Sequence, residues 1–184
     1  MARTESAMLE LGTQVPAFSL RDVRDGRVHT SDALAGPKGL LVMFICAHCP
    51  FVRHVERELA RVGSDYQSCG VGIAAISSND ADNYPDDAPP GLAAQAQRVG
   101  FSFPYLYDET QEVARAYDAT CTPDFFLFDS AGKLVYRGQL DESRPGNGVP
   151  VTGKDLRGAL DALIAGKPIS PTQRPSVGCN IKWK

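Results

Sequence analysis

Two cysteines three residues apart, in Cys46-Ala47-His48-Cys49, are the residues of this chain best suited to chemistry. At that spacing one sulfur can reach the other across a single helical turn, as a reversible disulfide requires. Thiolates with His48 and His54 nearby also offer soft ligands for Cu(I) or Zn(II), so disulfide exchange and metal binding both stand as readings. The flanking sequence places the pair. Residues 40–45 form an unbroken apolar run, which suits a strand buried on both faces. Beyond Cys49, the residues Phe51, Val52, Val55, Leu59 and Val62 recur at helical spacing, and they predict a helix of about four turns ending near Gly63. Cys46 is therefore expected at a strand end and a helix start, where free amides and the helix dipole lower a thiol's pKa. Pro50 is expected within the first turn, at roughly the fourth helical position, where a missing N–H costs little.

Composition narrows the classes. The chain has 184 residues, 43% hydrophobic and 22% charged, which supports one domain with a real core. Residues 1–13 are expected to be a flexible lead-in, and residues 14–184 a single domain with a tail over 167–184. A net charge of −3 with no basic cluster argues against nucleic acid or an anionic membrane as partner. The first residues carry no leader pattern and no apolar run is long enough to span a bilayer, so the cytoplasm is the expected location. Five cysteines is an odd count, and only Cys46 and Cys49 are close together, unlike a secreted disulfide framework.

The remaining elements must position the pair. Residues 17–20 and 27–29 predict a hairpin at a sheet edge, around Arg24-Asp25-Gly26. Residues 70–77 predict a second buried strand running into Ser78-Asn79-Asp80. Parallel strands open their carboxyl ends on one edge, so Asn79 and Asp80 are expected near Cys46 as substrate contacts. Residues 80–90 read as a loop, 91–99 as a helix, 104–107 as a short strand, and Thr110 as the cap of a helix through Ala119. Residues 125–128 and 133–140 predict a hairpin, and 152–165 a helix. The tail has no period, and its Cys179 joins the site only if the tail folds back. Helices between buried strands predict an α/β fold with a central mixed sheet and helices on both faces.

The CxxC at a strand–helix junction, with Thr122-Pro123 ahead of an apolar hairpin, resembles the thioredoxin fold. The longer amino-terminal hairpin and the insertion before Pro123 resemble its redoxin branch, the alkyl-hydroperoxide-reductase and thiol-specific-antioxidant group. More narrowly, FICAHCPFVRHV, SSNDADNYPDD, YLYDETQEVARAYDATCTPDFFLFD and PSVGCNIKWK are similar to a peroxiredoxin-like group of small thioredoxin-fold proteins, over residues 10–184. That resemblance implies Cys46 as exposed nucleophile, Cys49 as resolving thiol, and Pro123 as a cis-proline whose neighbour Thr122 presents its backbone to an extended substrate. His48 takes a position that some strongly oxidising relatives give to histidine, and would stabilise the Cys46 thiolate. Cys121, next to Thr122, is expected near the pair as a substrate-side, resolving or regulatory thiol. Cys69 has no expected role.

Two departures bear on activity. The hydroxyl and proline of a peroxidatic P-x-x-x-[TS]-x-x-C motif are replaced by Met43 and Gly39 before Cys46, and by Cys46 and Val42 before Cys49. The strand before the pair also supplies no buried carboxylate, and Glu56 is a weak substitute. The leading expectation is a cytoplasmic thiol–disulfide oxidoreductase in cell redox homeostasis, needing neither cofactor nor metal, with a disulfide-bearing protein or a small thiol or peroxide as substrate. A thiol peroxidase and a Cu(I)/Zn(II) binder using the same cysteines are the alternatives. The sequence assigns neither a reducing partner nor an oligomeric state.

Overall fold

A computed structural model describes residues 3–184 of the chain; Met1 and Ala2 lie outside it. Arg3–Glu5 forms β1, which corrects the flexible lead-in expected over residues 1–13, because this short segment is held by pairing with the far end of the chain. Ser19–Asp22 (β2) and Val28–Thr30 (β3) make the expected hairpin. The Thr30 hydroxyl accepts the Ala33 amide at 3.2 Å and caps the one-turn helix Ser31–Leu34 (α1).

Gly39–Phe44 (β4) follows, buried at every residue, then Pro50–Tyr66 (α2) and Val71–Ser77 (β5). The chain continues through Pro89–Val99 (α3), Tyr105–Tyr107 (β6), Glu112–Ala116 (α4), Cys121–Thr122 (β7), Asp124–Asp129 (β8), Leu134–Gly138 (β9), Lys154–Ile164 (α5) and Val177–Asn180 (β10). Seven strands join in the order β3-β2-β6-β5-β4-β8-β9, with β4 parallel to β5 and antiparallel to β8. The pleat explains why β4 carries no polar residue. Leu41, Met43 and Ile45 pack with Val52, Leu59, Leu92 and Leu156 from α2, α3 and α5, while Leu40, Val42 and Phe44 pack with Ala114, Tyr117 and Phe126 on the other face. Each such fully buried side chain contributes about 1.5–3 kcal/mol. This is the mixed sheet between helix layers that the sequence predicts. Among the described residues no helix is long and apolar enough to cross a membrane.

Several element boundaries differ, and three of the differences have a local reason. Pro50 opens α2 as its first residue instead of sitting at the fourth position, because its missing N–H has no bond to lose there. Gly63 does not end that helix: a Cβ there would meet the Phe103 ring at 2.7 Å, so the glycine serves close packing and the helix runs on to Tyr66. α4 starts at Glu112, because Gln111 takes a φ of 64° and sends its side-chain amide to the carbonyls of Ser78 and Lys182, at 2.7 and 2.8 Å.

The aperiodic tail contains β10, which lies between β1 and β7 in a second sheet of three strands. Its register sets Cys179 opposite Thr122 and Asn180 opposite Cys121. A Cβ on Gly178 would come within 1.9 Å of the Thr122 carbonyl oxygen, so only glycine permits this approach. Gly178→Ala is expected to lift β10 off β7 and cost about 1–3 kcal/mol. Faster amide hydrogen exchange over residues 177–180, with α2 unchanged, is the check; unchanged exchange in the tail would contradict it.

Candidate active site

Phe44 ends β4, and Cys46 lies in the turn that follows, not at the helix start; the residue that caps α2 is Cys49. Both sulfurs meet the segment before Pro123, whose peptide bond with Thr122 is cis. The Thr122 hydroxyl shares a hydrogen bond with Cys46 Sγ at 3.4 Å, and the Thr122 carbonyl lies 3.3 Å from Cys49 Sγ. Cys49 Sγ also donates to Cys179 Sγ, with the two sulfurs 2.7 Å apart. Cys46, Cys49 and Cys179 thus form one cluster closed to solvent, at 0%, 0% and 2% exposure.

Electrostatics reverses the expected assignment of the anion. Burial pushes the Cys46 thiol well up, and its hydrogen bond to Cys49 and the charge of Asp87 push the same way. Cys49 moves down, because its contacts with the Cys179 sulfur and then the Cys46 sulfur outweigh burial, with the amides of Val52 and Cys179 adding to the effect. The Cys179 thiol is in turn raised by its bond to Cys49 and by burial. The pull at Cys49 outweighs its burial, so the two cysteines of the pair shift in opposite directions, Cys49 down and Cys46 up. The exposed, low-pKa Cys46 of the sequence reading is corrected accordingly: it is fully buried, and Asp87 stands beside it.

Asp87 is the carboxylate that β4 does not supply. It comes from the short turn Pro85–Asp87 in the acidic loop and is fully buried. Its Oδ1 accepts the Ala47 and His48 amides at 2.8 and 3.1 Å, while Oδ2 accepts Asn79 Nδ2 at 2.8 Å and pairs with His48 Nδ1. Tyr84 stacks on the His48 ring, with centroids 5.3 Å apart. His48 Nε2 is buried and has no partner among the described residues. Glu56 plays a different part: Arg98 holds it at 2.6 Å, and it connects to the Cys46 carbonyl only through Gln95, whose Nε2 reaches both. Gln95 is fixed in turn by the Tyr105 hydroxyl at 3.1 Å.

The other candidates fare unevenly. Asn79 and Asp80 are buried and do not face a substrate: Asn79 orients Asp87 and accepts the Lys182 amide at 2.8 Å, and Asp80 closes its own turn through Asp82 and Asn83. Cys121 is fully buried with its thiol on the Pro123 carbonyl at 3.7 Å, so it offers no surface to a substrate and stays outside the thiol cluster. Thr122 is at the site as expected, but its backbone edge is taken by Cys179 of the same chain. Cys69 is exposed and donates to the Asp65 carbonyl.

Sequence reasoning missed Asp87 and Gln95; Cys179, expected at the site only if the tail folds back, is brought there by β10. Asp87 was one of four aspartates in a loop with no period to single it out. Ligand atoms of Cys46, His48 and Asp87 lie within 4.8 Å of one another. Both Asp87 oxygens already accept two donors each, so an ion there would displace bonds that hold the turn.

Asp124, the residue after Pro123, is fully buried with Oδ2 unpartnered among the described residues. Burial pushes its carboxyl up to about 8. The unfolded chain ionises this group near its ordinary value of about 4, so between that pH and about 8 the folded chain holds one proton more and stability falls as pH rises, by up to about 1.4 kcal/mol per pH unit. Asp124→Asn is expected to remove that slope. In chemical denaturation the variant should gain on wild type towards pH 8, with the difference closing below about pH 4; a gap independent of pH would contradict this.

The site can be set beside known proteins. A family model described as AhpC/TSA family matches residues 11–137. The thiol-disulfide oxidoreductase ResA of Geobacillus thermodenitrificans is 30% identical over 136 residues, covering 71% of this chain and 70% of that protein. A crystal structure of an uncharacterised conserved protein from Geobacillus kaustophilus superposes with a TM-score of 0.98 at 55% identity, covering 100% of this chain and 97% of that one. A thioredoxin-family thiol:disulfide interchange protein from Chlorobium tepidum shares the fold, with a TM-score of 0.64 at 21% identity over 83% of this chain and 97% of that one.

Proposed function

The chain belongs to the AhpC/TSA family and is a thiol–disulfide oxidoreductase of thioredoxin-like fold, and we propose that Cys46 and Cys49 are its working couple. One observation carries the assignment: both sulfurs converge on Thr122, Cys46 Sγ at its hydroxyl and Cys49 Sγ at its carbonyl, beside a cis Thr122–Pro123 bond. Cysteines at C-x-x-C spacing that meet on one residue can close and reopen a disulfide bond across the turn.

The proton between the two thiols sets their roles. When it passes from Cys46 to Cys49 the anion moves to Cys46, which attacks one sulfur of a substrate disulfide, and the departing sulfur takes up a proton. Cys49 then loses its proton and attacks the Cys46 sulfur of the mixed disulfide. The second substrate thiol leaves, and the Cys46–Cys49 disulfide remains. Asp87 holds the His48 ring in one orientation through Nδ1, which leaves Nε2 as the polar atom able to exchange a proton at the site. Asn79 supports that arrangement from behind.

The substrate in this proposal is a disulfide-bearing protein, in keeping with the name of the ResA relative. A part in cytoplasmic redox homeostasis belongs to the same proposal; it is supported by a cysteine set whose one close pair in sequence suits exchange better than structural cross-linking. Peroxide chemistry is less favoured, since Gly39 and Met43, where the peroxidatic motif needs proline and a hydroxyl, are buried in β4. The test is insulin-disulfide reduction with dithiothreitol as electron source. The protein is expected to accelerate precipitation of the insulin B chain over dithiothreitol alone, and no acceleration would overturn the proposal.

A further inference from the structure

We infer that Cys179 is a third redox thiol, which takes over the Cys49 sulfur in a second disulfide and so fastens the C-terminal strand across the site. The inference rests on the Cys46–Cys49 couple proposed above.

The position of Cys179 is built from several directions. Its sulfur lies 2.7 Å from Cys49 Sγ, which also meets the Thr122 carbonyl at 3.3 Å. β10 pairs with β7 in the register that sets Cys179 opposite Thr122, as an incoming extended peptide would present a cysteine when adding to that edge. Gly178 lets the strand come close enough. Before Cys179, the Ser176 hydroxyl donates to the Pro123 carbonyl at 2.5 Å. After it, Asn79 and Gln111 hold the Lys182 amide and carbonyl, each at 2.8 Å. The tail therefore occupies the substrate's place with a cysteine at the reacting position.

The chemistry balances without an added oxidant. Starting from the Cys46–Cys49 disulfide, the Cys179 thiol gives up its proton and its sulfur attacks Cys49. A Cys49–Cys179 bond forms, the Cys46–Cys49 bond breaks, and Cys46 leaves as a thiolate that takes up a proton. Two electrons have left the protein before and after the step, so this is an internal isomerisation. Cys46 is regenerated as a thiol while the oxidised state is held by Cys49 and the tail.

The experiment equilibrates the full-length protein in glutathione buffers, quenches with acid, alkylates the remaining thiols and maps non-reduced tryptic peptides by mass spectrometry. Residues 39–53 carry Cys46 and Cys49, and residues 158–182 carry Cys179 as their single cysteine, so the two disulfides appear in different products. Wild type is expected to give the 39–53 peptide joined to 158–182 beside the internally closed 39–53 peptide. Cys46→Ser should give the joined product alone, Cys49→Ser should lose it, and Gly178→Ala should lose it while keeping the internal loop. A wild type that closes only within 39–53, with Cys46→Ser fully reduced at the same poise, overturns this inference and leaves the couple intact. A wild type with no disulfide at an oxidising poise overturns both.

Discussion

Cys46→Ser is expected to abolish insulin-disulfide reduction, a loss on the order of a thousandfold or more, since removing the nucleophile leaves no residue to take over its step. The serine hydroxyl fits the space and can keep the contact with Thr122, so the variant should fold as wild type does, and circular dichroism and thermal melting are the controls. The partner substitution differs in kind. Cys49→Ser retains the attacking sulfur but not the resolving one, so exposure to oxidised glutathione should leave an adduct on Cys46 that the wild type releases. Full turnover by Cys46→Ser, or an adduct on Cys121 instead, would remove the assignment of roles.

The second large effect is on stability. Asp87 is buried and accepts four donors, two of them backbone amides of the turn that carries the cysteines. Asp87→Ala leaves those donors unsatisfied and should cost about 3–5 kcal/mol, the range found when one partner of a buried charged network is removed. Asp87→Asn keeps the shape but turns one acceptor into a donor facing His48 or Asn79, and its cost should be smaller.

The pH dependence of this contribution has a definite sign. Burial raises the Asp87 carboxyl, but the His48, Asn79 and Ala47 donors outweigh it and bring it below the usual carboxylate range. A depressed folded-state value means that the contribution is complete above the unfolded-chain pKa and is lost as pH falls through the folded one. Urea denaturation at a series of acidic pH values should show wild type losing its advantage over Asp87→Ala on acidification. A difference that holds constant into strong acid would contradict the ionised, bonded carboxylate.

How far the sequence discloses this site depends on whether a residue's neighbours are local. The apolar run of β4, the helical spacing of α2 and the CxxC between them are local patterns, and they place Cys46 and Cys49 at a strand-to-helix junction. Thr122-Pro123 is readable because a short motif stands before an apolar hairpin, and the structure brings it onto both sulfurs. What was not legible depends on long-range closure. β10 has only four residues and no alternation, so nothing in the tail announces that Cys179 pairs opposite Thr122. Asp87 is chosen from the acidic loop by the way Pro85–Asp87 turns inward beneath His48, a contact that composition cannot express. The pKa order of the two thiols fails for the same reason. A helix start lowers a thiol's pKa, but burial, the neighbouring thiols and Asp87 set the direction in which each of the two thiols shifts.

The most direct measurement of the central claim is a redox titration of the full-length protein in glutathione or dithiothreitol buffers, with thiols counted by alkylation and mass at each poise. The account predicts a single two-electron transition in which the five cysteine thiols fall to three, within about −180 to −320 mV, with Cys49 protected together with Cys46 or, after the internal exchange, with Cys179, and the change absent in the double variant lacking Cys46 and Cys49. Five alkylatable thiols throughout that range, or the same transition in a protein lacking Cys46 and Cys49, would contradict it.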